Sequence, residues 1–496
     1  MKVLKFGGTS VANANNISLV KNIIADLGSN KSIVVVSALG GITDLLLKTA
    51  ALASAQDQTY KNILKEIEDR HLITIKELIP IHSQSKVLSK VKSELNTLET
   101  LLEGAYLIGE ITPKLSDKIV SYGELLSSYI ISEYFIVEGI DTVHADSRQL
   151  IKTNSNFGKA AVNFDLTNKN IADYVNNCNK SVIIMGGFIA SAVNGDSTTL
   201  GRGGSDYTAA IVANAINAEV LEIWTDVSGM YTANPKIVKQ AMAIPHISYE
   251  EAMELSHFGA KVLYPPTIQP VLTKGISIVI KNTFDPNSPG TLITKNKNGQ
   301  GKTVRGISHV ENIALVSLEG PGMVGITGIS KRFFEVLSTA GISVVMITQA
   351  SSEHSICIGI DNQDADHAVQ VINDAFDIEI SLGKIKPVVA EKDLAIIALV
   401  GDNMKSHQGL SGKMFSTLGK NNVNIRAIAQ GASERNISAV ILKEDVKKAL
   451  NTLHEEFFEE NIKQLNLFVM GVGNVGAKFL NQIQSQKKYL KEKLKL

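Results

Sequence analysis

A fourteen-residue segment occurs twice, and this repeat restricts the possible folds more than any other feature of the chain. ITQASSEHSICIGI (347–360) aligns with IAQGASERNISAVI (428–441). Ile347, Gln349, Ser352, Glu353, Ile356 and Ile360 match Ile428, Gln430, Ser433, Glu434, Ile437 and Ile441, at an offset of 81 residues. Each copy follows a strand, a helix and a second strand. These are IALVSLEG, GISKRFFEVLSTAG and then the repeat, or LAIIALVG, GKMFSTLGKNN and then the repeat. Each is followed by a helical pattern, DADHAVQVINDAF or VKKALNTLHEEFF. A duplicated unit of this length must fold as two similar small domains, and the order predicts two βαββαβ units over 312–390 and 391–464. Duplication can serve packing alone. A Gln-x-x-Ser-Glu element kept at the same turn in both copies instead points to paired ligand sites.

Residues 1–300 read differently. KVLKF (2–6), SIVVVSA (32–38), SVIIMGGF (181–188), VLEIWTD (220–226) and SIVIKNT (277–283) are short, β-branched and nearly continuous in apolar residues. Strands of that kind are covered on both faces, as in a parallel sheet. Helical patterns such as NISLVKNIIADL and DYTAAIVANAI alternate with them. The expected fold is α/β, an αβα sandwich with a mostly parallel sheet. Residues 58–135 read as a helical insertion. NTFDPNSPGTLITKNKNGQGKTV (282–304) is turn-rich and marks the boundary with the duplicated part.

The chemistry-bearing residues gather at predicted strand ends, where ligands bind in open α/β sheets. KFGGTS (5–10) leaves a strand through Gly7 and Gly8, with Lys5 beside them; a glycine turn at a helix start suits a phosphate. GRGGSDYTAA (201–210) places three glycines, Arg202, Ser205 and Asp206 before an apolar helix. Ser205 or Asp206 could serve merely as its N-cap, but Arg202 offers a fork suited to a carboxylate. SALGGIT (37–43) adds the hydroxyls of Ser37 and Thr43, and SYGELLSSYII (121–131) puts Glu124 at a helix start. WTDVSGMYTANPK (224–236) is a polar strand end, and Lys261 lies in the apolar setting FGAKVLYPP.

Lys plus Arg and Asp plus Glu each total 49, so charge gives no support for a nucleic-acid or membrane-surface partner. Cys178 and Cys357 have neither metal-ligand nor disulfide spacing, which fits a reducing cytoplasm. No apolar run approaches a membrane span, and the amino-terminal residues enter a strand pattern at once, leaving no segment to read as a signal peptide. The ten histidines form no cluster, no metal site is expected, and there is no P-loop, protein-kinase motif set, H-E-x-x-H or G-x-S-x-G.

Together, Lys5–Ser10, Ser37-Ala38, Gly123-Glu124, Gly201–Tyr207, Thr225-Asp226-Val227 and Gly259–Leu263 resemble the aspartate kinases of the amino-acid kinase superfamily, in order and spacing. The repeat resembles the tandem ferredoxin-like ACT domains that follow that kinase. The whole chain is similar to the kinase half of a bifunctional aspartokinase/homoserine dehydrogenase. The resemblance implies ATP-dependent phosphorylation of the side-chain carboxylate of L-aspartate, with Mg²⁺ on the nucleotide. Lys5, Ser37 and Thr43 would handle the reacting carboxylate. Arg202 would hold the α-carboxylate, Glu124 would face the ammonium, Ser205 would contact the substrate, and Asp206 would orient the catalytic lysines. Gly7, Gly8 and Ser10 would line the phosphates, and Thr225, Asp226, Tyr231, Lys236 and Lys261 would bind ATP. Gln349 and Gln430 would contact an amino-acid effector, with threonine favoured, in a homo-oligomer (dimer or tetramer) built through the ACT domains. Asn234-Pro235-Lys236 replaces the family's usual Asp-Pro-Arg, and Tyr264-Pro265-Pro266 its His-Pro-Arg.

Within 465–496, NLFVMGVGNVGAKFLNQIQ (466–484) reads as a strand, Gly471-x-Gly473-x-x-Gly476 and a helix, the entrance to a dinucleotide-binding domain. An NAD(P)-dependent dehydrogenase is therefore the alternative function, and a catalytically dead amino-acid sensor a further one. A dinucleotide site needs an acidic residue about 20 positions past the glycines on a second strand. The lysine-rich KKYLKEKLKL does not supply it, so no NAD(P) is expected for this chain. The strand and helix are expected to fray or to pack on the second ACT unit.

Overall fold

The computed structural model describes residues 1–28, 30–257, 263–295, 303–324, 326–349, 354–402, 404, 407–430, 435–459, 467, 469–471 and 473–490. Two compact units emerge, Met1–Tyr231 with Ala243–Arg305, and Thr232–Met242 with Gly306–Leu496.

The strands of the first unit are β1 (Lys2–Phe6), β2 (Ser32–Val36), β3 (Thr142–Ala145), β4 (Lys152–Thr153), β5 (Val182–Gly186), β6 (Ile189–Ala192), β7 (Ser197–Thr199), β8 (Val220–Thr225), β9 (His246–Ser248), β10 (Ser277–Asn282) and β11 (Thr291–Thr294). The main sheet runs β3-β5-β2-β1-β8-β10-β11-β9. Its first six strands are mutually parallel, and β11 reverses against β10. The five strands expected from apolar runs are its contiguous centre, β5-β2-β1-β8-β10. All of β2 is buried, because helices cover both faces of a parallel sheet. The short sheet β4-β6-β7 carries less apolar pattern and is not evident in the sequence. Nor is β11, which lies inside the turn-rich stretch 282–304.

The helical insertion is four helices, Tyr60–Leu78, Ile81–Ile108, Pro113–Val120 and Tyr122–Val137. Val87, Val91, Leu95, Leu98, Leu102 and Ala105 form the buried stripe of the longest, at the three- and four-residue spacing of one helix face. Thr112 caps the third through the amide of Leu115, with Pro113 behind it at the helix start.

The second unit is built on β12 (Gly306–Glu319), β13 (Val344–Gln349), β14 (Ser355–Asp361), β15 (Ala390–Val400), β16 (Ile425–Gln430) and β17 (Asn436–Leu442). These form one antiparallel sheet, β13-β14-β12-β15-β17-β16. β12 to β15 complete a βαββαβ unit. In the second copy, β12 occupies the fourth-strand place beside β15, so the first strand of each copy closes the other. The two ferredoxin-like units are thus fused into one sheet. Thr232–Met242, expected within 1–300, belongs to this second unit. Ile307 N donates to Thr232 O at 2.7 Å, the Thr232 and His454 side chains meet at 2.9 Å, and Asn451 Nδ2 donates to Ile237 O at 3.4 Å.

In the tail, Asn474–Tyr489 is helical, but the described residues before it form no strand. Met470 is 98% and Val475 84% exposed, so the described part of this segment forms its helix without the burial expected of packing on the second ACT unit.

Candidate active site

Parallel pairing of β1, β2 and β5 brings their carboxyl ends to one edge of the sheet. Ser37 N donates to Phe6 O at 3.1 Å, and Gly187 N to Val36 O at 2.8 Å, which fixes the three exits together. A cavity of about 680 Å³ opens there. Of the residues singled out from the sequence, Lys5, Gly8, Ser37, Thr43, Glu124, Arg202, Ser205 and Asp206 all line it. They come from segments up to two hundred residues apart, which only the sheet order brings together.

Lys5 Nζ lies 2.6 Å from Asp206 Oδ1, an ion pair with both side chains largely shielded. Asp206 sits in the first turn of the helix Gly204–Ala215, where a carboxylate also suits the helix dipole. The helix is capped by Gly203 without a side-chain bond, so neither Ser205 nor Asp206 is spent as an N-cap. Gly203 has φ +71°, and a Cβ there would meet the Tyr264 ring 2.6 Å away. Tyr264, a departure from the family pattern, thus packs on the glycine turn. A Cβ on Gly187 would meet Ser205 at 2.6 Å, so β5 and this helix start can approach only through glycine.

Glu124 is 3% exposed, and its Oε2 has no hydrogen-bond partner among the described residues. Burial pushes its pKa up to about 8, against the opposing pull of the Ala38 and Glu124 amides. A buried carboxyl facing a polar cavity is poised for a cationic group, whose charge would return it to the ionised form.

Among the cavity-lining residues that sequence reading missed, Phe188 and Asp117 stand out. Phe188 holds φ +65°, a left-handed backbone uncommon for an aromatic residue, with its N–H on Thr208 Oγ1 at 3.0 Å and its carbonyl accepting from Leu200 N at 2.9 Å. Asp117 sits in a short helix of the insertion, where a single aspartate carries no pattern.

Other expected residues fall elsewhere. Ser10, expected at the phosphates, is fully buried, and its Oγ lies 2.8 Å from Thr283 Oγ1 and 3.4 Å from Trp224 O. The hydroxyl joins β1's exit to the ends of β8 and β10. The Gly7 amide is likewise engaged, on Trp224 O at 3.3 Å. Thr225 ends β8, beside β1, and Asp226 follows it; their side chains bond each other at 3.1 Å outside the cavity lining. Tyr231 pairs with Ala243, and the exposed Lys236 lies in the segment assigned to the second unit. Lys261 is outside the described residues.

In the second unit Gln349 ends β13 and lines a cavity of about 410 Å³ with Gly328, Ser330 and Ile356. Its counterpart Gln430 accepts from Ser411 Oγ at 3.2 Å. Ser352, Glu353, Ser433 and Glu434, the rest of the repeated motif, are outside the described residues. Among the described residues no three His, Cys, Asp or Glu side chains group as metal ligands, and no helix is long and apolar enough to cross a membrane.

Residues 1–282 match the Amino acid kinase family, and residues 316–376 and 397–457 each match the ACT domain. The chain is 35% identical over its whole length to the chloroplastic bifunctional aspartokinase/homoserine dehydrogenase 2 of Zea mays, covering 54% of that protein. It is 36% identical over 99% of its length to the bifunctional aspartokinase/homoserine dehydrogenase of Haemophilus influenzae, covering 61%. The chain therefore spans little more than half the length of these relatives. Among solved structures, E. coli aspartokinase III in complex with aspartate and ADP, its R-state, aligns with a TM-score of 0.78 at 31% identity, over 92% of this chain and all of that one. With its parallel sheet, glycine-rich strand exits and paired small domains, the chain belongs to the amino acid kinase family, followed by ACT domains.

Proposed function

We propose that the chain is an aspartate kinase, transferring the γ-phosphoryl group of MgATP to the side-chain carboxylate of L-aspartate. The observation that carries this is the convergence of a cation pair and two carboxyls, Lys5, Arg202, Glu124 and Asp206, on one cavity at the glycine-rich strand exits.

The nucleophile would be a carboxylate with a pKa of about 3.9, already ionised at neutral pH, so no general base is needed. The obstacle is an anion approaching a polyanion. Lys5, held by Asp206 at 2.6 Å, places a positive charge where the two meet. Ser37 and Thr43 would orient the reacting carboxylate. Arg202 would bind the α-carboxylate, Ser205 would contact the substrate beside it, and Glu124 would take the ammonium. Gly8 offers backbone to the phosphates. Thr225, Asp226, Tyr231, Lys236 and Lys261 would contact ATP, with Lys236 giving charge without the planar fork of arginine. Mg²⁺ would enter with the nucleotide as part of the substrate. The product is an acyl phosphate, 4-phospho-L-aspartate.

In the ACT domains, Gln349 and Gln430 would bind an amino-acid effector, threonine by our reading. Inhibition follows if the effector prefers an inactive arrangement of a dimer or tetramer. The two free cysteines fit a reducing compartment such as the cytoplasm. Incubation with MgATP and either aspartate or glutamate, with hydroxylamine to trap the acyl phosphate, tests the activity. Aspartate-dependent hydroxamate is expected, and ATP turnover indifferent to aspartate would overturn the assignment. Addition of threonine or lysine then tests the effector.

A further inference from the structure

We infer that Asp117 is a positioning residue for the substrate's α-carboxylate, acting through the turn that carries Arg202. The inference rests on Arg202 being that carboxylate's partner, as proposed above.

Asp117 belongs to the helix Pro113–Val120 of the insertion, is 5% exposed and lines the cavity. Among the described residues it has no ion pair; its carboxylate is satisfied entirely by three donors on two other segments. Oδ2 accepts from Gly158 N and from Thr199 N, each at 2.9 Å. Oδ1 accepts from Thr199 Oγ1 at 2.8 Å. Ala160 N donates to Thr199 O at 3.1 Å, completing the tie between the two segments. Thr199 ends β7, and Leu200, Gly201 and Arg202 follow directly. Gly201 has φ +73°, and a Cβ there would lie 3.2 Å from Gly158 O. The Gly158 loop and the Gly201 turn therefore pack on each other, with Asp117 bonded to both.

A buried carboxylate without a cation is costly unless backbone donors hold it. Here those donors belong to the residues that set where the Arg202 turn begins. If Asp117 is lost, two backbone amides and a hydroxyl lose their acceptor, and the turn can shift. A shift of about 1 Å can cost roughly a hundredfold in a positioned reaction. The effect should fall on the α-carboxylate end of aspartate and spare the nucleotide.

Steady-state kinetics of Asp117→Ala, Asp117→Asn and Thr199→Val, with L-aspartate and its α-amide as substrates, test this. Asp117→Ala is expected to raise the KM for aspartate roughly tenfold or more and leave that for ATP unchanged. It should also shrink the preference for aspartate over the α-amide by a similar factor, because the Arg202 contact is what that preference measures. Asparagine keeps an acceptor for the two amides and can donate to the Thr199 hydroxyl, so Asp117→Asn should restore most of the affinity. Thr199→Val, which removes only the hydroxyl bond, should shift the same quantities by a smaller factor, and it carries the test if Asp117→Ala does not fold. Unchanged discrimination against the α-amide, or equal rises in both KM values, would overturn the positioning role. A wild type that neither binds nor phosphorylates aspartate would instead overturn the proposed activity on which it rests.

Discussion

The two units assemble their candidate ligand surfaces by opposite means. In the first, residues from distant parts of the chain meet once, at the exits of parallel strands, and the key side chains are shielded: Lys5 is 9% and Glu124 3% exposed. In the second, one segment is duplicated and laid out twice along a continuous antiparallel sheet, with Gln349 and Gln430 at exposed strand ends. Convergence creates a single low-dielectric site in which charges are strong and pKa values move. Duplication creates two similar strand ends whose surroundings differ. Ser411 already occupies Gln430, whereas Gln349 faces a cavity.

The largest expected effect separates the two directly. Lys5→Ala or Asp206→Ala should lower kcat by about two to three orders of magnitude while effector binding, measured by calorimetry, stays unchanged. Loss of effector binding in these variants would erase the distinction between the units.

The next effect depends on the shielding of Glu124. With its pKa raised to about 8 from an ordinary 4.5, the free protein holds this carboxyl protonated at neutral pH. Binding the substrate's ammonium must then release a proton. The apparent KM for aspartate is expected to fall as pH rises toward 8, by up to about tenfold per pH unit, and Glu124→Gln should flatten that dependence while weakening binding. The same shift has a stability consequence of defined sign. As pH climbs from about 4.5 to about 8 the unfolded chain ionises freely and the folded one does not, so stability falls across that window in the wild type and less in Glu124→Gln. Urea unfolding at pH 5 and pH 8 measures the difference, and a KM profile flat in the wild type would show that the carboxyl is not protonated.

A smaller effect tests the inequality within the duplicated unit. Gln349→Ala should weaken effector inhibition several-fold more than Gln430→Ala, with kcat unchanged in both. Equal shifts would mean that the Ser411 bond yields to ligand and the copies act alike. The smallest effect belongs to the tail. Phe479→Ser on its exposed helix should change thermal stability by less than about 0.5 kcal/mol, and a larger loss in a melting curve would show that the helix packs.

Much of the fold was legible because the central strands β1, β2, β5 and β8 are buried along most of their length on both faces and are therefore mostly apolar. These strands stand out as runs for that reason, while β4, β7 and β11 are short or polar and do not. The site was legible where several unusual residues cluster in sequence, as in Gly201–Asp206 around Arg202. It was less legible at Ser10, whose place in KFGGTS suggested phosphate and whose hydroxyl lies against Thr283, a contact no local pattern announces. Asp117 and Phe188 gave no signal, since a lone aspartate and a lone aromatic residue acquire roles only from what folds against them.

The sequence by itself determined the two architectures, their order and the residue types of the cavity, because apolar periodicity, glycine turns and repetition are local properties of a chain. Tertiary structure alone decided that β12 and β15 fuse the two copies, that Thr232–Met242 joins the second unit, and that Lys5 meets Asp206. Those outcomes depend on pairings across tens to hundreds of residues, where register and burial rather than composition select the partner.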